Sequence, residues 1–456
     1  MLDKIFDRFI ERAPVAVMVR GVLERVLSAD ALNALYDRSA VTQYTRSLLF
    51  SNVVGLMYLV VSRVQPSINA AYKDNADEIP VSITSVYNKL NGVDTQTSRA
   101  LVRDIAAELG EAVHRLGGAC TPWLEGYRVK VLDGNCIETT HHRLKPLRGL
   151  AAGALPGKSL VIYDPQLEMA IDVFPCEDGH AQERALLGEV LLRVQAKDLF
   201  VVDRNFCVRE MLFGIDERQA AFICRQHQGL PWEAAGEECF VGQSETGALY
   251  EQWVWVTDQQ TGQRHRWRRV RIVLKQATRD GDKELTLLTN LPKTAAPAKQ
   301  IAWIYQKRWT IETAFQELEA HLHSEINALG YPKAALFGFC VALLAYNVLA
   351  LVKAALRAEH GEQTVSTAVS GYYLAGHLMR TYYGMMIAIA DDQWRVFQQM
   401  SDEQFLRTLQ QLAAKVNLAK FRKNKRGPKK PKPKPVYDPK HPHVSTAKLL
   451  GGATTP

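Results

Sequence analysis

Three acids in this chain are placed where they could do chemistry. Asp133 closes the apolar run Val129-Lys130-Val131-Leu132 and is followed by Gly134. Asp203 closes Leu199-Phe200-Val201-Val202, and Glu312 lies inside the helical pattern IAWIYQKRWTIETAFQELEAHL. Each has an ordinary explanation when taken alone, because a strand-end carboxylate usually caps a turn and a helical glutamate is usually solvated. Brought together, three carboxylates are sufficient protein ligands for a hard divalent cation that keeps several of its waters. Without the cation they repel one another, and at least one of their pKa values must rise.

The helix that carries Glu312 gives these acids a common direction. At ~100° per residue, with Tyr305 at zero, Arg308 falls near ~300°, Glu312 near ~340°, Glu319 near ~320° and His323 near ~0°. Ile304, Ile311, Phe315, Leu318 and Leu322 occupy the adjoining sector, between ~220° and ~280°. Such a helix buries one face and presents Tyr, Arg and Glu along its edge.

The spacing of Tyr305, Arg308 and Glu312 resembles the Tyr-Arg-Glu-Lys signature (Y-x2-R-x3-E-x6-K) of insertion-sequence transposases with a DDE active site, the bacterial cut-and-paste type. Val131-Leu132-Asp133-Gly134, Val201-Val202-Asp203-Arg204-Asn205-Phe206 and Thr289-Asn290-Leu291-Pro292 fit the same family, and the resemblance runs from about Arg128 to Asn347. It implies an α/β fold: an RNase H-like mixed-sheet catalytic core, interrupted by a β-rich insertion and flanked by helical regions at both ends. It further implies metal-dependent cleavage and strand transfer of DNA ends, with two Mg²⁺ ions (Mn²⁺ able to substitute) held by Asp133, Asp203 and Glu312. In-line attack on a phosphodiester uses such a pair of ions to activate the nucleophile and stabilise the leaving oxygen. By the same resemblance Tyr305 and Arg308 bind phosphates of the transposon end. Trp309, Arg204 and His323 are further candidates for DNA contact, and a tryptophan of the insertion, Trp253 or Trp255, is a candidate to hold a flipped base. The implied partners are inverted-repeat ends and target DNA, bound by a homodimer or higher assembly.

One position departs from the signature. Its lysine falls at Glu319, which reverses the charge. His323, one turn further on the same stripe, is a candidate to stand in. The departure keeps a second reading open, a catalytically impaired, transposase-derived DNA-binding protein or inhibitor. A structure-selective nuclease on the same core is a third.

The elements expected to position these residues follow from pattern and composition. At 456 residues the chain is too long for one compact core. Residues 1–120 read as a helical, DNA-end-binding region; 121–225 and 292–330 as the catalytic core; 226–291 as the β-rich insertion; 331–418 as a second helical region; and 419–456 as a basic, Pro- and Lys-rich disordered tail. Within the first region VSITSVYNKLNGVDTQTSRALV is either a helix-turn-helix that offers its second helix to a DNA groove or an ordinary helical hairpin.

Charge is concentrated at the end of the chain. Nine of the basic residues lie between Lys420 and Lys434 with no acid among them, so the formal charge of +8 minus these nine leaves −1 for the rest. Lys423, Lys425 and Arg426 are therefore candidates for sequence-independent DNA affinity. The seven cysteines include no CxxC pair and read as reduced core thiols of a cytoplasmic, nucleoid-associated protein. Ala334–Val352 is nineteen residues without a formal charge, close to the ~20 that span a bilayer. It is expected to be a buried core helix instead, with no membrane partner. Two local patterns lead nowhere. Leu155-Pro156-Gly157-Lys158-Ser159 lacks the earlier glycine of a phosphate loop and precedes a strand, and His141, His142 and His180 match no common zinc spacing.

Overall fold

The computed structural model describes the chain apart from residues 1, 42–46, 151, 259–260, 279–280, 424–442 and 452–456. Most of the expected tail, with Lys425 and Arg426, therefore lies outside the described residues.

The strands expected from the apolar runs form, together with three short ones that the runs did not announce, Gly153–Leu155, Glu233–Ala234 and His443–Ser445; Asp133 lies inside its strand, three residues before the end, and Asp203 directly follows its own. In chain order the strands are β1 (Arg128–Cys136), β2 (Gly153–Leu155), β3 (Lys158–Asp164), β4 (Met169–Cys176), β5 (Asp198–Val202), β6 (Ala221–Arg225), β7 (Glu233–Ala234), β8 (Cys239–Gln243), β9 (Gly247–Thr257), β10 (Arg264–Leu274) and β11 (Glu284–Thr289), followed near the C-terminus by β12 (His443–Ser445). Ten of them make one sheet in the order β4-β3-β1-β5-β6-β11-β10-β9-β7, with β8 also paired to β9. β1, β3 and β4 pair antiparallel, whereas β5 and β6 run parallel to β1. This is the mixed sheet of an RNase H-like core. β5 reads DLFVV and is buried along its whole length, as a strand covered on both faces must be.

The strands of the insertion continue this sheet. β11 joins β6 through Leu287, Leu288 and Thr289. Asn290 secures the joint: its side-chain amide donates to Asp216 and to the carbonyl of Ala220, while its Oδ1 accepts from the backbone N–H of Phe222. The Thr-Asn-Leu-Pro mark thus works as a structural bolt.

One large core lies on the face of the sheet that looks toward the N-terminal helices and the helix Pro332–His360, and a second lies against Leu187–Leu191 and Arg209–Glu217 on the opposite face. Pro332–His360 is the helix long and apolar enough to cross a membrane, and 94% of its most apolar window is buried inside the protein. Asn347, within it, bonds both ways to the backbone of Ala170 on β4.

Three expectations change. Ile83–Gly92 and Thr95–Leu116 do form a helix pair, but Thr97 and Ser98 at the start of the second helix are fully buried. That helix packs on β4 and on Pro332–His360, so its face is not free for a DNA groove and the pair is a helical hairpin. Residues 443–450 are ordered where disorder was expected: His443–Ser445 pairs parallel with β2, and Thr446–Leu450 is a helical turn. The cause is a small apolar core of Leu147, Ala152, Ala154 and Val444, which composition alone does not reveal. The thiols are free, but only Cys207, Cys224 and Cys340 are buried, while Cys136 and Cys239 are exposed.

Candidate active site

β1 and β5 are parallel neighbours, with Val131 opposite Val201 and Leu132 opposite Val202. That register places Asp133 and Asp203 side by side just past the paired residues, facing the same side of the sheet. Glu312 reaches them from above, on the helix Thr310–His321. The single helix expected from the stripe is in fact two, Ala298–Lys307 and Thr310–His321, with a turn at Arg308 and Trp309. Both turn residues keep right-handed helical backbone angles, so the chain changes direction only modestly.

Arg308 is buried at that turn and draws the acids together. Its Nη1 donates to Asp133 Oδ2 at 2.9 Å and its Nη2 to Glu312 Oε1 at 3.2 Å. The Tyr305 hydroxyl donates to Asp203 Oδ1 at 3.3 Å. The guanidinium carbon stands 5.9 Å from the Tyr305 ring centroid and 5.3 Å from that of Trp309. The apolar sector behaves as expected, with Ile304, Ile311, Leu318 and Leu322 buried.

The electrostatics follow from this burial. Asp133 is pushed up to about 6, chiefly because it is withdrawn from water, with Glu312 and Asp203 adding to the rise and Arg308 and the Gly134 N–H opposing it. Burial also raises Glu312, again against Arg308. The rise expected from clustered carboxylates is present, yet desolvation contributes more to it than mutual repulsion does.

Three hard carboxylate donors, two from neighbouring parallel strands and one from the helix over them, are the right chemistry for a divalent cation. Among the described residues, no three His, Cys, Asp or Glu side chains are gathered tightly enough to hold a metal ion as they stand. The guanidinium of Arg308, wedged between Asp133 and Glu312, separates two of the donors.

Residues 125–348 match the family model described as a transposase DDE domain. The chain belongs to the DDE-type transposases. No curated protein matches it. Among solved structures it is similar to a piggyBac transposase synaptic complex with hairpin DNA, at 11% identity over 85% of this chain and 84% of that one. The TM-score is 0.35, a likeness too loose to build on.

The other expected site residues of the transposase are scattered. Arg204 is exposed beside Asp203, and Trp309 is 58% exposed next to Arg308. His323 is a correction: the helix ends at His321, and Leu322 is already extended, so His323 leaves the stripe and its N–H bonds to the Val61 carbonyl. Lys423 donates through Nζ to the Ser366 carbonyl. Trp253 and Trp255 share a face of β9, as their alternation with Val254 and Val256 predicts. Four strand-to-strand steps separate β9 from β5, or ~19 Å at the usual spacing.

Sequence reasoning missed Glu183 and the role of Gly134. Glu183 accepts a hydrogen bond from Asn205, and a Cβ built on Gly134 would lie 2.1 Å from its Oε1. Arg184 donates to the Asn205 carbonyl. These residues tie the loop after Asp203 to the strand that carries Asp133. The only signal was the Asp-Arg-Asn-Phe string, which does not name its partner.

Proposed function

We propose that this transposase cleaves the inverted-repeat ends of an insertion sequence and joins them to target DNA, with Asp133, Asp203 and Glu312 holding two Mg²⁺ ions that Mn²⁺ can replace. The supporting observation is the meeting of all three acids with Tyr305 and Arg308, at the spacing the signature calls for. When bound, the ions supply activation of the attacking hydroxyl and stabilisation of the leaving oxygen. The protein's own contributions are distinct. Burial around Asp133 withdraws its carboxylate from water and raises its pKa in the free protein. Arg308 holds Asp133 and Glu312 in the free protein, and its Nε is buried without a partner among the described residues. A DNA phosphate is the acceptor this guanidinium fits, and its arrival releases both carboxylates for metal. Tyr305 orients Asp203, and exposed Trp309 and Arg204 line the approach.

We place this activity in a homodimer or larger assembly that pairs two ends, in the bacterial cytoplasm at the nucleoid. One observation favours the second reading, a catalytically impaired DNA-binding derivative: Glu319 is exposed where the signature has lysine. Strand transfer of a pre-cut, labelled end in Mg²⁺ separates the two. Joined product supports the enzyme, whereas bound DNA with no product supports the derivative. Asp133→Ala is expected to abolish joining while DNA binding persists, and joining by that variant would refute the assigned site.

A further inference from the structure

Between β1 and β3 the chain makes an excursion, Ile137 to Gly157, from the sheet end that carries the acids. It leaves β1 three residues past Asp133, or about 10 Å along the strand. From Thr139 to Tyr163 the sequence contains no acid, whereas Arg143, Lys145 and Arg148 fall within six residues of one another. All three are exposed, and none of them forms an ion pair among the described residues. The one hydrogen bond from these side chains runs within the loop, from Arg148 to the Arg143 carbonyl at 3.2 Å.

A loop of this length and charge does not hold its shape unaided, because its cations repel and ordering its backbone costs about 1–2 kcal/mol per residue. Here it is braced from two sides. The His141 N–H donates to the Asn327 carbonyl, and Leu144 packs against Gly330 in the segment that follows the Glu312 helix. From the other side comes the C-terminus. β12 pairs with β2, Val444 enters the small core of Leu147, Ala152 and Ala154, and Leu449 packs against it. His443 lies so near Gly153 that a Cβ there would stand 2.7 Å from its Cδ2, and Lys448 pairs with Asp178 at 3.1 Å. Residues 443–450 thus serve to stiffen a cationic loop that springs from the sheet end carrying the acids.

We propose that this excursion is a second DNA-contact surface: Arg143, Lys145 and Arg148 grip the phosphate backbone of the duplex lying across the active site, and the strap His443–Leu450 holds them ready. The assignment rests on the transposase acting on DNA, but not on its being catalytically competent. Duplex DNA carries one charge per ~1.7 Å, so three cations on a fixed scaffold meet a ready lattice of partners. Their contribution is independent of sequence and depends on salt.

The test uses the full chain with Arg143, Lys145 and Arg148 all changed to Gln, and a duplex of arbitrary sequence titrated between about 50 and 200 mM salt. Each lost phosphate contact flattens the log–log salt slope by about 0.9, so the triple variant is expected to fall short of wild type by about 2.7. Its thermal melting is expected to be unchanged. Val444→Asp, which unseats the strap, is expected to reproduce the shallower slope. An unaltered slope in the triple variant, or a wild-type protein that does not bind duplex at all, overturns the proposal; an unaltered slope in Val444→Asp overturns the role of the strap. Because the readout is binding, a protein that never joins DNA yet shows the slope change would defeat the enzymatic reading and leave this one standing.

Discussion

Two basic regions of this transposase look alike in sequence and differ in what their charge is used for. β10 reads RHRWRRVRIVL and carries five arginines, more than any other strand of the sheet. Every one is engaged within the protein. Arg268 is buried between Glu251 and the carbonyls of Leu291 and Ala296. Arg269 and Arg271 share Glu238 and cover Trp232 and Tyr250, and Arg264 and Arg266 lie over Trp255 and Trp253. The excursion after β1 has only three cations, all exposed, and none of them pairs with an acid among the described residues. Counting charge is therefore a poor guide to where nucleic acid binds. What matters is whether a cation is already paired, as Arg264, Arg268, Arg269 and Arg271 are, since breaking such a pair to reach a phosphate offsets part of what the new contact returns, most of all at buried Arg268.

The sharpest way to break that comparison is Arg268→Ala. It leaves Glu251 buried with only Lys293 beside it, and a loss of about 3 kcal/mol in urea unfolding is expected. The DNA salt slope should not move; a change there would mean that β10 also touches DNA. Trp253→Ala removes the ring beneath Arg266 and near Lys293. It should cost about 1–2 kcal/mol by the same measurement, again with no change in binding.

Glu325 probes the brace from below. Its Oε2 accepts the backbone N–H of Glu138 at the foot of the excursion, and burial pushes its pKa up to about 7, with Glu138 and Glu319 adding repulsion. A carboxyl raised on folding gives stability that is whole below its unfolded value and lost as pH rises through about 7. Glu325→Gln should therefore match wild type near pH 5 and exceed it near pH 8 by about 1 kcal/mol, allowing for partial exposure. Equal melting curves at both pH values would remove the strain assigned to this corner. The smallest effect is expected from Glu319→Lys, an exposed change that should alter stability by less than about 0.5 kcal/mol. It should steepen the salt slope by up to about 0.9 if the helix stripe faces DNA.

Much of the site could be read from the chain. Asp133 and Asp203 stand at the ends of apolar runs because a strand buried on both faces needs apolar residues, and its first polar residue marks where the sheet meets solvent. Tyr305, Arg308 and Glu312 were legible because helical period places them on one side, and the break at Arg308 was too mild to destroy that. His323 was misjudged for the same reason, since nothing local announced the end of the helix at His321. Asn290 belonged to a recognisable string, yet its task is to fasten β11 to β6.

The sequence by itself determined the longer strands and the apolar helix Pro332–His360, and it singled out the three acids as candidates, because these depend on periodicity and on residues near one another in the chain. Only the tertiary structure decided that Arg308 stands between Asp133 and Glu312, that Glu183 clasps Asn205 over Gly134, and that His443–Ser445 returns to brace Gly153–Leu155. Such contacts join segments up to 290 residues apart. No local propensity encodes them, because each forms only after other parts of the chain have built the surface it packs on.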